Sequence, residues 1–172
     1  MTWKSIRLSN TNKMNRSFLV KTIILITMIM ATAIAMANNT KLPLPRFASI
    51  KSNEVNARVG PTITSPIEWV FVKKGEPIEI IAEYEQWRQI RDIHGEGGWV
   101  HSSVLSGKRS VIIVSKEVVE LTKSPTNSRI VAKVSGNVRC FLNKCEKQYC
   151  KISCKNYTGW LSKALLWGID KE

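Results

Sequence analysis

Four cysteines, Cys140, Cys145, Cys150 and Cys154, carry the richest chemistry in this 172-residue chain, and a span of 15 residues holds them all. Sulfur at such spacing can hold zinc, pass electrons or form bridges. Zinc is disfavoured, because Cys-x4-Cys-x4-Cys-x3-Cys lacks the two-residue knuckles that aim thiolates at one metal. A redox pair is disfavoured too, since there is no Cys-x-x-Cys at a helix start to activate a thiol. Disulfides are the default, and four cysteines allow three pairings. If the segment around Cys140 pairs with Tyr149–Cys154 across the intervening turn, Cys145 faces Cys150 and Cys140 faces Cys154, because the index sums of the two pairs differ by one. This nested arrangement is the expected one. Its outer loop would contribute about 3 kcal/mol in the chain-entropy model if it acted alone.

His94 and His101 are the only histidines, and both lie in the half without cysteine. A Cys–His pair therefore cannot be assembled within one half, and no serine motif stands out. The chain is expected to be non-catalytic, with no metal and no cofactor. The aromatic residues then carry the interest. If Ile90 points inward, alternation sends Trp87, Gln89 and Arg91 outward, and an inward Val100 sends Trp99 and His101 outward. Two tryptophans at least half exposed beside Arg58 would suit a peptide groove, because flat rings bury much area at small entropic cost. The same logic turns Cys150, Ile152 and Cys154 inward and lets Tyr149 and Trp160 emerge. Arg58, Trp87, Trp99, His101, Tyr149 and Trp160 are thus the candidate binding residues. Trp69 and Trp167 read as core or as packing between units. In the contrasting reading the chain is a structural assembly subunit whose aromatics are buried between units or protomers.

The elements that must position these residues are strands. Short apolar stretches are bounded by turn residues, with no convincing 3.6-residue stripe. Ile78, Ile80, Ala82 and Tyr84 share one face of an extended segment and Glu79 and Glu83 the other, with Ile81 interrupting the alternation. Gly95-Glu-Gly-Gly98 marks a hairpin. The second half echoes the first: Val55–Pro61 matches Val119–Pro125, Trp87–Asp92 matches Tyr149–Cys154, and Gly98–Leu105 matches Gly159–Leu166, at offsets of 64, 62 and 61. Two units of about five strands each follow, each read as a small closed β-barrel. Their expected limits are residues 46–108 and 109–172. The short join at Gly107–Ser110 implies that they touch.

Residues 1–37 read as a secretion signal. Lys4, Arg7, Lys13, Arg16 and Lys21 precede the apolar run Thr22–Ala35, and Ala35-Met36-Ala37 supplies the small residues that signal peptidase needs. An uncleaved anchor is the rival reading, but a spanning helix wants about 20 apolar residues. Cleavage would take five of the 26 basic residues and none of the 13 acidic ones, leaving 21 against 13, a formal charge of +8. The product is expected to be periplasmic or secreted, with no later membrane span. Its field favours anionic envelope polymers, acidic proteins or lipid headgroups, and nucleic acid is not an expected partner. The 44% apolar content excludes a disordered chain, and the length excludes a large multi-domain enzyme.

Val55-Asn-Ala-Arg-Val-Gly-Pro61, then Trp87 and Ile90, then Gly98-Trp-Val-His101 resemble the opening and closing motifs of bacterial Src-homology-3-like domains of exported proteins. The tandem arrangement resembles a two-module exported family of alphaproteobacteria, in which the second module carries Cys-x4-Cys, here Cys145 to Cys150. The resemblance implies an all-β fold of two tandem barrels, a bridge between Cys145 and Cys150, and a non-enzymatic periplasmic binding protein. On that reading, the ligand is a peptidoglycan peptide stem or an envelope protein. The second half departs from the motif, with Glu120, Thr122 and Ser124 in place of Asn56, Arg58 and Gly60, so a role tied to Arg58 does not carry over.

Overall fold

The turn-bounded apolar runs form strands throughout. A computed structural model describes residues 42–170, and the leader expected at 1–37 lies outside them. The first sheet comprises β1 (Arg46–Ile50), β2 (Val55–Arg58), β3 (Ile67–Phe71), β4 (Pro77–Tyr84), β5 (Trp87–Arg91), β6 (Gly97–His101) and β7 (Leu105–Ser106). The second comprises β8 (Ser110–Ile113), β9 (Val119–Ser124), β10 (Asn127–Val134), β11 (Arg139–Glu146), β12 (Tyr149–Cys154), β13 (Tyr157–Ser162) and β14 (Leu166–Trp167). The orders are β3-β2-β6-β5-β4-β1-β7 and β10-β9-β13-β12-β11-β8-β14, so the second repeats the first with every label raised by seven. All ladders are antiparallel. Seven strands appear where about five were expected. The two-residue β7 and β14 follow single 3₁₀ turns and pair back onto β1 and β8, too short to stand out as apolar runs.

Each sheet folds around its own core. Ile50, Ala57, Ile78, Ile80, Ile90 and Val100 fill the first. Val111, Ile113, Leu121, Ile152 and Leu161 fill the second, together with Cys140, Cys150 and Cys154. The Gly-Trp step of each half has a steric cause. Gly98 has φ +133°, and a Cβ there would stand 2.7 Å from the Arg58 carbonyl oxygen, so only glycine lets β6 cross β2 this closely. At Gly159 a Cβ would meet the Leu121 Cβ at 2.7 Å, which fixes the crossing of β13 and β9 in the same way.

One irregularity recurs and corrects the reading of β4. Ile80 faces Ile90, but Ala82 faces Gln89, so the register slips at Ile81, the residue that broke the alternation. A bulge of this kind reverses the phase of the strand. Ala82 and Tyr84 therefore leave the core side occupied by Ile78 and Ile80, and Tyr84 is exposed. The equivalent slip in the second sheet lies between Leu142 and Lys144. Ahead of it, Phe141 faces Ser153 and Leu142 faces Ile152, which brings Cys140 into step with Cys154. Beyond it, Cys145 faces Cys150. The one-residue mismatch between the two cysteine pairs is absorbed there, and both nested disulfides are present.

The sheets touch through polar and aromatic contacts between residues distant in sequence. Ser49 Oγ and Ser110 Oγ, both buried, lie 2.6 Å apart, and the Ser110 N–H and hydroxyl donate to Ser49 Oγ and the Gly75 carbonyl. Arg139 Nε and Nη2 donate to the buried carboxylate of Glu76 at 2.9 and 2.7 Å. Those hydrogen bonds, opposed by burial and helped by the charge of Glu76, push the Arg139 guanidinium above its ordinary value. Phe47 meets Trp167 edge-on at 5.1 Å between centroids, which places Trp167 in packing between the sheets, as expected.

Candidate functional site

Cross-strand partners share a face of a sheet, so the register defines what lies beside what. Trp99 on β6 stands opposite Arg58 on β2 and opposite Gln89 on β5. Gln89 faces Ala82, and Arg58 faces Ile67, giving one row across five strands. In the neighbouring row Trp87 stands between His101 and Tyr84. The Trp87 and His101 rings meet edge to face at 5.8 Å. Arg58, Trp87, Trp99 and His101 are thus brought together on the outward face of the first sheet, with Tyr84 and Gln89 added. Sequence reasoning missed Tyr84 by carrying the alternation through Ile81.

Several expectations need correction. Trp87 and Trp99 are half-buried, not at least half exposed, because each is flanked by side chains of the two neighbouring strands. The guanidinium of Arg58 is partly used by the fold: Nη1 donates to the Ser65 carbonyl at 2.7 Å and so pins the loop 59–66. Trp69, read as core or packing, is 39% exposed, because β3 ends the sheet and has a neighbour on one side only. Trp160, expected to emerge, is only 7% exposed, roofed by Lys144, whose Nζ lies 5.4 Å from the ring centroid. Tyr149 does emerge. Tyr149 and Trp160 lie on the second sheet, apart from the four candidates of the first.

The face offers stacking surface with polar groups at its edge. His101 Nδ1 lies 2.7 Å from Ser103 Oγ and accepts from the Ser103 N–H, so the imidazole caps the 3₁₀ turn that follows β6. All four thiols are consumed in bridges. Among the described residues, no three His, Cys, Asp or Glu side chains are grouped to hold a metal ion. A cleft of about 710 Å³ lies elsewhere, between the sheets, lined by Phe47, Arg91, His94, Lys163, Trp167 and others, and shares none of the six candidates.

The motif residues Arg58, Trp87, Gly98 and Trp99 all fall inside one matched segment. A bacterial SH3 domain is found at residues 51–107. This SH3 domain runs from just before β2 to just past β7 and so contains the whole outward face described above. Over 160 residues the chain is 26% identical to the putative N-acetylmuramoyl-L-alanine amidase YrvJ of Bacillus subtilis (strain 168), covering 87% of this chain and 30% of that protein. Among solved structures it matches NlpC1 from Trichomonas vaginalis, at 14% identity and a TM-score of 0.34, over 73% of this chain and 46% of that one. NlpC2 from the same organism matches at 13% identity and a TM-score of 0.33, over 76% and 52%. The chain spans about a third to a half of the length of these proteins. The bacterial SH3 domain and the two disulfides point to an extracellular or periplasmic protein. No helix among the described residues is long and apolar enough to cross a membrane.

Proposed function

We propose that the chain is an exported, non-enzymatic binding protein of two tandem SH3-like modules, residues 46–108 and 109–172, which holds peptide stems of peptidoglycan or an envelope protein on the first module. One observation carries this reading: Arg58, Trp99 and Gln89 form a single cross-strand row beside Trp87, His101 and Tyr84. An extended peptide laid across that row would bury apolar area on two indoles, while indole N–H, amide and imidazole groups meet its backbone. The repeated strand order supports two modules. The amidase named among the relatives supports the cell wall as the setting. Periplasm is the compartment proposed, with the leader removed. The four bridged thiols and the capping role of His101 support binding over catalysis.

The test is recovery from purified sacculi by wild type and by the double variant Trp87→Ala, Trp99→Ala, with circular dichroism confirming that both are folded. Losing two anchor indoles at about 2 kcal/mol each lowers affinity by roughly two to three orders of magnitude, so the variant should be almost absent from the pellet. Equal recovery would contradict the proposal.

A further inference from the structure

The face of the second sheet that corresponds to the candidate site has been rebuilt with positive charge. Its row reads Lys144, Lys151, Trp160, Thr122 and Ile130, where the first sheet has Ala82, Gln89, Trp99, Arg58 and Ile67. Beside it, Tyr149 takes the place of Trp87 and is exposed. Lys144 and Lys151 are direct partners across the β11–β12 ladder, and like charges set opposite one another on a sheet destabilise it. Glu146 pairs with Lys144 alone, and among the described residues no carboxylate pairs with Lys151. The imbalance extends to the whole half: residues 42–107 hold seven basic and eight acidic side chains, whereas residues 108–170 hold twelve and four, a formal +8. The net charge of the described chain therefore resides in the second half.

We infer that this face is a second binding surface, for an acidic polysaccharide. Carboxylates along such a chain relieve the repulsion between Lys144 and Lys151. The CH face of a sugar ring stacks on the exposed Tyr149, a contact that a plain acidic peptide does not offer. The outward positions around Tyr149, namely Glu146, Ser153, Thr158 and Ser162, are polar and suit a sugar chain, while the exposed Phe141 opposite Ser153 makes a lipid surface the alternative that the vesicle arm of the test decides. The inference is independent of the peptide-binding proposal, because it uses none of that face's residues.

The test measures retention of the full chain on immobilised polygalacturonate, with dextran, poly-glutamate and phosphatidylglycerol vesicles as comparison arms. Wild type should bind polygalacturonate more tightly than the other three, with affinity falling as salt rises. Lys144→Gln with Lys151→Gln should weaken it about tenfold, two partly exposed ion pairs' worth. Lys144→Arg with Lys151→Arg should retain binding, which separates lost charge from lost folding. Lys73→Gln with Lys74→Gln should leave it unchanged. Unaltered binding by the Gln pair, an equal loss from the Lys73 and Lys74 pair, or preference for poly-glutamate, vesicles or dextran would overturn the inference.

Discussion

Deleting the outer bridge, as Cys140→Ala with Cys154→Ala, is expected to destabilise the second sheet by about 3 kcal/mol if the inner bridge is also absent, and by less if it is present. The inner bridge shortens the loop that the outer one closes, so the two contributions overlap. The inner bridge closes a loop of sequence separation 5 rather than 14, so deleting it, as Cys145→Ala with Cys150→Ala, should cost less. Burial adds to the difference, since both Cys140 and Cys154 lie in the core whereas Cys145 is half-buried. Denaturant midpoints of the two double variants and of the quadruple variant check this order. A larger loss from the inner pair would show that the outer bridge does not anchor the core.

The second large effect is expected at the contact between the sheets. Arg139→Ala should cost about 2 kcal/mol, because it leaves the Glu76 carboxylate buried without its bidentate partner. The value is set below that of a fully buried pair because the Arg139 side chain is 30% exposed. Replacing both residues, as Glu76→Leu with Arg139→Met, should recover much of the loss, since no unpaired charge then remains. A double-mutant cycle on the denaturation midpoint measures the coupling. With its folded value raised by Glu76, Arg139 stays charged through the neutral range. Its contribution is fully present there and is lost only as pH rises past that raised value. A cycle with no coupling would mean that the Glu76–Arg139 pair does not help to hold the sheets together.

How much of this could be read in the sequence depended on the range of each interaction. The all-strand pattern and the inward Ile90, Val100, Cys150 and Ile152 follow from local alternation, which a strand imposes without help from elsewhere, whereas the nested bridges also rest on the pairing of β11 with β12. Ile81 was visible as a defect, but its consequence was not: only the pairing with β5 shows that a bulge there moves Tyr84 to the face of Trp87. Arg58 was found from its neighbours in the chain, while its bond to Ser65 depends on how the loop 59–66 folds back. Burial of Trp160 needs Lys144, from a strand two places away in the sheet. Glu76 with Arg139 and Ser49 with Ser110 are separated by 63 and 61 residues, and no periodicity connects them. Trp69 misled because an aromatic in an apolar run reads as core, whereas an end strand leaves its side chains covered from one side.

Indole N–H resonances report on the outward face of the first sheet most directly. Trp69, Trp87, Trp99, Trp160 and Trp167 all lie in the described residues, and they sample the candidate face, the end strand, the second sheet and the contact between sheets separately. A ¹⁵N-labelled sample titrated with a soluble muropeptide should show saturable shifts at Trp87 and Trp99, with Trp160 and Trp167 unmoved. Shifts at Trp167 with Trp87 and Trp99 unchanged would place the ligand in the cleft between the sheets and contradict the binding face argued for above.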